Sequence, residues 1–181
     1  YKPLNLENAN VIGFEVELRK KLSDWFKGIK NLNLNFNGSY IISDEKFSED
    51  ELKLRSLGLR EGETLGDSRP LQGQSPYLIN AGLDYNNQQK GIRGSLYFNV
   101  QGKTLEVVGD GFYPDVYTMP FNSLNLNLSK QFKNNTSLTL RIRNILNDER
   151  ESLFEGYGGT TEYFRFRNIG RTYSLGYSVK F

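Results

Sequence analysis

The chain has 181 residues, of which 23 are basic and 21 acidic, with no cysteine and no histidine. One domain is expected at this length, and a formal charge of +2 gives no electrostatic reason for a nucleic-acid partner. Without cysteine or histidine there is no disulfide framework or thiolate metal site, and zinc hydrolases and most Ser/His or Cys/His nucleophile systems are excluded. No catalytic residues, no metal and no cofactor are therefore expected. Hydrophobic residues make up 37 % of the chain and aromatic ones 13 %, a balance that suits one polar face and one aromatic-rich face.

No apolar run is long enough for a transmembrane helix. YKPLNLENAN (Tyr1–Asn10) has neither a basic n-region nor an apolar h-region, so it is not read as a signal peptide. A chain that starts at Tyr1 is expected to be processed or to be the tail of something longer. From residue 11 the apolar residues recur at every second position, the period of a strand. The first strand places Ile12, Phe14, Val16 and Leu18 on one face, with Glu15, Glu17 and Arg19 between them. After a short link at Ser23–Gly28 the second carries Leu32, Leu34, Phe36, Tyr40 and Ile42 against Asn33, Asn35, Asn37 and Ser39.

A long link, Ser43–Pro76, contains SEDE (Ser48–Glu51), which fits a capping box with Ser48 as cap and Glu51 reaching back. The charges around it read as a solvated face with a helical turn. The third strand has Tyr77, Ile79, Ala81, Leu83 and Tyr85 against Asn80, Gly82 and Asp84; a short link follows at Asn86–Lys90. The fourth has Ile92, Leu96, Phe98 and Val100 against Arg93, Ser95, Asn99 and Gln101. The next long link, Lys103–Pro120, holds DGFYPD (Asp110–Asp115), which lacks the alternate oxygen ligands and the terminal Glu of an EF-hand. The fifth strand (Leu124, Leu126, Leu128) and the sixth (Leu138, Leu140, Ile142, with Arg141 and Arg143 between and after) flank a short link at Lys133–Asn135. The last long link, Asn144–Gly170, contains GYGGTT (Gly156–Thr161), which lacks the flanking strand and helix of a phosphate cradle. The final strand carries Tyr173, Leu175, Tyr177, Val179 and Phe181.

Strands of about ten residues suit a tilted crossing of a bilayer. Short and long links alternate, as turns and outer loops do in an outer-membrane barrel. All five prolines fall outside the strands. Tyr77, Tyr40 and Tyr85, with Phe132 and Phe181, fall where two aromatic girdles belong. The expected fold class is all-β, an antiparallel transmembrane β-barrel portion of about seven long strands. Seven is odd, whereas single-chain bacterial barrels have even counts, and an open edge in lipid is costly. Residues 1–181 are thus expected to be part of a larger barrel, or to be closed by a partner. Two rivals are a complete small barrel acting as an adhesin or structural protein, and a soluble β-barrel that binds a small ligand.

Four segments carry a family resemblance. RPLQGQSPYLINAGLDY (Arg69–Tyr85), NANVIGFEVELRKKL (Asn8–Leu22), RIRNILNDE (Arg141–Glu149) and GRTYSLGYSVKF (Gly170–Phe181) resemble, in family order, segments of Bacteroidetes-type TonB-dependent outer-membrane receptors. The resemblance implies roughly the last third of a 22-stranded barrel in the outer membrane of a Gram-negative bacterium. A plug domain and a TonB box would lie upstream, outside this chain. It further implies active uptake of a scarce nutrient (siderophore, cobalamin, glycan or peptide). Membrane lipid, the rest of the barrel and plug, the TonB complex, the barrel-assembly machinery and a surface lipoprotein are the implied partners. Tyr173, Leu175, Tyr177, Val179 and Phe181 match the family's terminal assembly signal.

Two groups of side chains are candidate contacts. The outer-loop aromatics Phe112, Tyr113, Tyr117, Tyr157, Tyr163, Phe164 and Phe166 offer rigid area for a ligand; the plainer reading packs them against each other. Glu15, Glu17, Arg19, Arg93, Arg141 and Arg143 share the expected lumen face. They read either as a ladder of paired charges or plug contacts, or as a path for anionic cargo.

Overall fold

The computed structural model describes residues 8–110, 112–133, 135–156 and 161–180. In chain order the strands are β1 (Ala9–Lys21), β2 (Leu32–Lys46), β3 (Ser68–Arg69), β4 (Tyr77–Asn87), β5 (Ile92–Gln101), β6 (Thr104–Val107), β7 (Asp115–Thr118), β8 (Phe121–Gln131), β9 (Thr136–Arg143), β10 (Arg150–Glu155), β11 (Glu162–Arg167) and β12 (Thr172–Val179). Among the described residues one α-helix, α1 (Glu49–Leu57), lies between β2 and β3, and a 3-10 turn (Leu22–Asp24) follows β1.

The seven expected strands form one antiparallel wall in the order β1-β2-β4-β5-β8-β9-β12, with β3 pairing β2. Registers keep the apolar side chains of one face in line from strand to strand. Leu34 stands opposite Leu83, Leu83 opposite Leu96, Leu96 opposite Leu126, Leu126 opposite Ile142, and Ile142 opposite Tyr173. A slip of one residue would turn each set to the other face. Phe14, Tyr40 and Tyr77 form an aromatic row across three strands near the long-loop end, the first two rings 5.9 Å apart.

This apolar face covers no core. Phe14 is 65 % exposed and Leu175 73 %, while the only buried hydrophobic residues among those described are Leu105 and Val116. An apolar surface of that extent calls for a hydrocarbon solvent. Two lysines on the same face, Lys20 and Lys130, sit at its short-turn end. Lys20 pairs with Asp24 at 3.0 Å and lies over Trp25; Lys130 lies over Phe132. Their stems follow the apolar surface and their ammonium groups reach its polar border.

The three short links end alike. Asn31, Gly91 and Asn135 each have positive φ, 64°, 60° and 60°, and each directly precedes a wall strand. That conformation suits Gly and Asn. At Gly91 the backbone also approaches closely: an added Cβ would meet the Gln131 carbonyl at 2.5 Å.

The long links are where the sequence reading falls short. They are not plain loops. β6 and β7 from the second, and β10 and β11 from the third, assemble a separate four-stranded sheet in the order β11-β10-β7-β6. Leu105 and Val116 belong to this loop sheet, so the buried core lies outside the wall. The first long link supplies α1, capped as expected by Ser48 Oγ, which accepts from Glu51 N at 3.2 Å. The carboxylate of Glu51 does not reach back to the cap; it turns to Arg55 and Arg69.

Candidate functional site

The polar face of the wall is a hydrogen-bonded surface. Glu15, Asn37, Asn80 and Asn99 come from four adjacent strands. Asn99 Nδ2 donates to Asn80 Oδ1 at 2.7 Å, Asn80 Nδ2 to Asn37 Oδ1 at 3.3 Å, and Asn37 Nδ2 to Glu15 Oε1 at 2.6 Å. Every amide in this row therefore points its donor toward one carboxylate. Beside it, Asp84 accepts from Asn35 Nδ2 at 2.7 Å and from the Tyr97 hydroxyl at 2.6 Å. Tyr97 lies across Gly82, where an added Cβ would come within 2.4 Å of the ring. Its place among polar residues was not expected from its apolar ring; the absence of a side chain at Gly82 makes the room.

Above this face, at the long-loop end, the loop sheet encloses a cavity of about 540 Å³. The wall contributes Asn80, Asn99, Gln101, Phe121 and Ser123; the loop sheet contributes Glu106, Thr118, Arg150, Ser152, Arg165 and Arg167. Glu106 organises the loop side. It accepts from Ser152 Oγ at 2.6 Å and Thr118 Oγ1 at 2.8 Å, and pairs with Arg165 Nη2 at 3.1 Å. The Ser152 hydrogen bond, then those of Thr118 and the Arg165 charge, hold its carboxyl below the usual range against partial burial. Arg150 stacks over the Phe121 ring at 4.4 Å. The cavity volume is in the range of small-molecule sites.

The loops are tied together by buried charge. Arg55 is fully buried. It donates through Nε to Glu51 at 2.9 Å, through Nη2 to Asp115 at 3.0 Å, and to the Gly109 carbonyl at 3.3 Å. Arg69 pairs with Glu45 at 3.0 Å and also with Glu51. Phe47 lies under both guanidiniums. This five-residue chain of charges joins β2, α1, β3 and β7, and corrects the reading of the first long link as a solvated face. On the same side of β7, Lys103 pairs with Glu155 and sits 4.3 Å over the Tyr117 ring. Burial, with the nearby Asp115 and Glu155 carboxylates, pushes the Tyr117 phenol up to about 12.

The expected contact residues are distributed unevenly. Phe112, Tyr113, Tyr163, Phe164 and Phe166 are exposed, and none of them lines the large cavity. Three pack in part, Phe164 against Phe154 at 5.2 Å and Tyr163 against Phe166 at 5.7 Å. Tyr117 is half-buried in the loop sheet. Tyr157 and Phe181 lie outside the described residues, as does most of GYGGTT. In DGFYPD, Asp110 caps its own turn by accepting from the amides of Phe112 and Tyr113, while Asp115 serves Arg55. Tyr173, Leu175, Tyr177 and Val179 alternate outward along β12, paired with β9.

Of the six charges, Glu17 and Arg19 pair at 2.6 Å and border a hollow of about 270 Å³ with Tyr97 and Asn80. Arg93, Arg141 and Arg143 share the polar face yet form no ion pair among the described residues. The ladder of paired charges therefore exists only at the β1 edge. Sequence reasoning missed Glu106, Arg150, Ser152, Arg165 and Arg167. A signal was present for four of them: Arg150 and Ser152 in RESLFE, and Arg165 and Arg167 in EYFRFR, recur at every second position, the same period that marks the wall.

A family model described as the outer membrane protein beta-barrel family matches residues 1–181. No curated protein and no solved structure matches the chain.

Proposed function

The chain belongs to the outer membrane protein beta-barrel family, and on that premise we propose that it forms wall and outer loops of a TonB-dependent transporter. Its place is the outer membrane of a Gram-negative bacterium. The apolar face of the wall then meets lipid, the Glu15–Asn99 row faces the lumen and a plug, and the edges of β1 and β12 pair with further barrel strands. Unpaired edges in lipid would leave backbone groups costing several kcal/mol each.

The observation that carries this reading is the cavity between the polar wall and the loop sheet. It lies at the long-loop mouth of the lumen, where a nutrient captured from outside would first rest. The residues around it offer charge and hydrogen bonds for binding, and on this reading the chain acts by holding cargo. Release inward is the work of the plug and of the TonB complex powered by the proton-motive force.

The test is uptake in cells. Strains with and without the gene, in TonB-competent and TonB-deficient backgrounds, are compared for growth on ferric siderophores, cobalamin, oligosaccharides and peptides as limiting nutrients. Growth on one of them should need both the gene and TonB. Growth that needs the gene but not TonB on every nutrient tried would overturn the reading and favour a passive or adhesive barrel.

A further inference from the structure

We propose that the cavity under the loop sheet is a binding site for a small organic anion, held by Arg150 and Arg167. This deepens the transport reading, and rests on it for how the anion then moves inward.

The argument begins with register. Arg150 and Arg167 are direct cross-strand partners on β10 and β11. Two like charges opposite one another oppose pairing of the strands. Among the described residues neither guanidinium has an ion-pair partner, so nothing in the sheet compensates them. Both line the cavity. Two residues further along the pair, Ser152 stands opposite Arg165, and these two groups are consumed by Glu106.

Arg150, Arg165 and Arg167 bring three guanidiniums against two carboxylates, Glu106 and Glu151, and Glu106 is already taken by Arg165, Ser152 and Thr118. Glu151, between Arg150 and Ser152 on β10, also borders the cavity; it stands in register with Phe166 rather than with an arginine and forms no ion pair with Arg150 or Arg167. The wall opposite adds Asn80, Asn99, Gln101 and Ser123, all neutral amides or hydroxyls. The site therefore keeps a net positive charge, with Arg150 and Arg167 free of ion-pair partners among the described residues and facing neutral hydrogen-bonding groups. Arg150 lies 4.4 Å over the Phe121 ring, a cation–π contact that holds this guanidinium beside the cavity. Planar forks of this kind suit carboxylate and phosphate oxygens. The cavity of about 540 Å³ leaves room for a polar body behind the anionic groups. It opens on the polar face, away from the lipid, so the anion is a dissolved one.

The experiment is calorimetric titration of the purified full-length protein in lipid nanodiscs with citrate, with inorganic phosphate, and with maltose as uncharged control. Saturable binding of citrate or phosphate, and not of maltose, is expected; which anion binds tells carboxylate from phosphate. The double variant R150Q/R167Q should lose at least about tenfold in affinity. R150K/R167K, which keeps charge without the fork, should fall between. Arg60→Gln, on an exposed turn of the first long link, should bind like the native protein. Thermal unfolding checks that the variants fold: R150Q/R167Q without ligand should be at least as stable as the native protein, and citrate should raise only the native midpoint. Absence of anion binding by the native protein, or unchanged affinity in R150Q/R167Q, overturns the proposal. Because binding is read without TonB, the two readings fail separately. Citrate binding without TonB-dependent uptake sinks transport alone, and TonB-dependent uptake with no anion binding sinks this site alone.

Discussion

The guanidinium of Arg55 grips the carboxylate of Asp115 with two donors, Nη1 to Oδ2 at 3.3 Å and Nη2 to Oδ1 at 3.0 Å, across 60 residues of chain. The first long link carries Arg55 on α1; the second carries Asp115 at the start of β7. Asp115 Oδ1 also accepts from Gly109 N at 2.7 Å, and Gly109 is held there by close packing, since a Cβ would meet the Tyr113 carbonyl at 2.0 Å. The contact fixes the hairpin of β6 and β7 against α1, and with it the Glu106 side of the cavity.

Removing one partner of a fully buried pair leaves the other charge stranded, at a cost of about 3–5 kcal/mol. Arg55→Ala should therefore loosen the outer loops while the wall stays intact. Proteinase added to whole cells should cut within residues 47–76 faster than in the native protein. R55A combined with Asp115→Ala should be cut more slowly than R55A alone. Equal protection of R55A and native protein would show that the charges do not hold the loops.

Asn144 has φ of 53° and is 5 % exposed. Its amide donates to the carbonyls of Asp148 and Gly170 at 2.9 and 3.0 Å, while its oxygen accepts from Asp148 N at 3.1 Å. Asn144→Gly keeps the backbone geometry and loses these bonds, a loss of about 1–3 kcal/mol for buried groups left unpaired. Asn144→Asp should be worse, because it sets a carboxylate against two carbonyl oxygens. The unfolding midpoint in urea should fall in the order native, N144G, N144D. An N144D midpoint equal to the native one would contradict this.

That residue also marks what the sequence disclosed. RIRNILNDE was legible as a family segment because its asparagines are required by backbone: Asn144 and Asn147 both take positive φ. The wall was legible because period 2 follows from its two solvents, and each strand repeats it over 8 to 15 residues. The loop sheet was not, because its strands have only 4 to 6 residues, too few repeats to stand out from a polar link. The burial of Arg55 and Arg69 was hidden for a different reason. Charges near a capping residue read as solvated, and only the arrival of Asp115 and Glu45 from distant segments makes them a core.

Glu106 lies outside the membrane-spanning strands, and its carboxyl titrates below its ordinary value of 4.5. A lowered folded value means that ionised Glu106 stabilises the fold above the unfolded value, and that this contribution fades as pH falls through the folded one. Hydrogen exchange in β6 and β10, corrected for intrinsic rates, should speed up below pH 4.5. Glu106→Gln should remove that dependence and leave faster exchange already at pH 7. A native profile that is flat from pH 7 to 3 would refute it.

Leu126 stands mid-strand on β8 between Leu96 and Ile142, on the face that meets lipid. An arginine there costs about 2–4 kcal/mol near the bilayer midplane. Asn127, the next residue, faces the lumen opposite Ser95 and Arg141, where a polar change meets water. Leu126→Arg should therefore lower the yield of folded protein in outer-membrane fractions, seen as loss of the heat-modifiable band. Asn127→Ser, one position away, should leave that yield unchanged. If both variants assembled equally well, the face carrying Leu126 would not be the lipid face, and the orientation of the whole wall would have to be reversed.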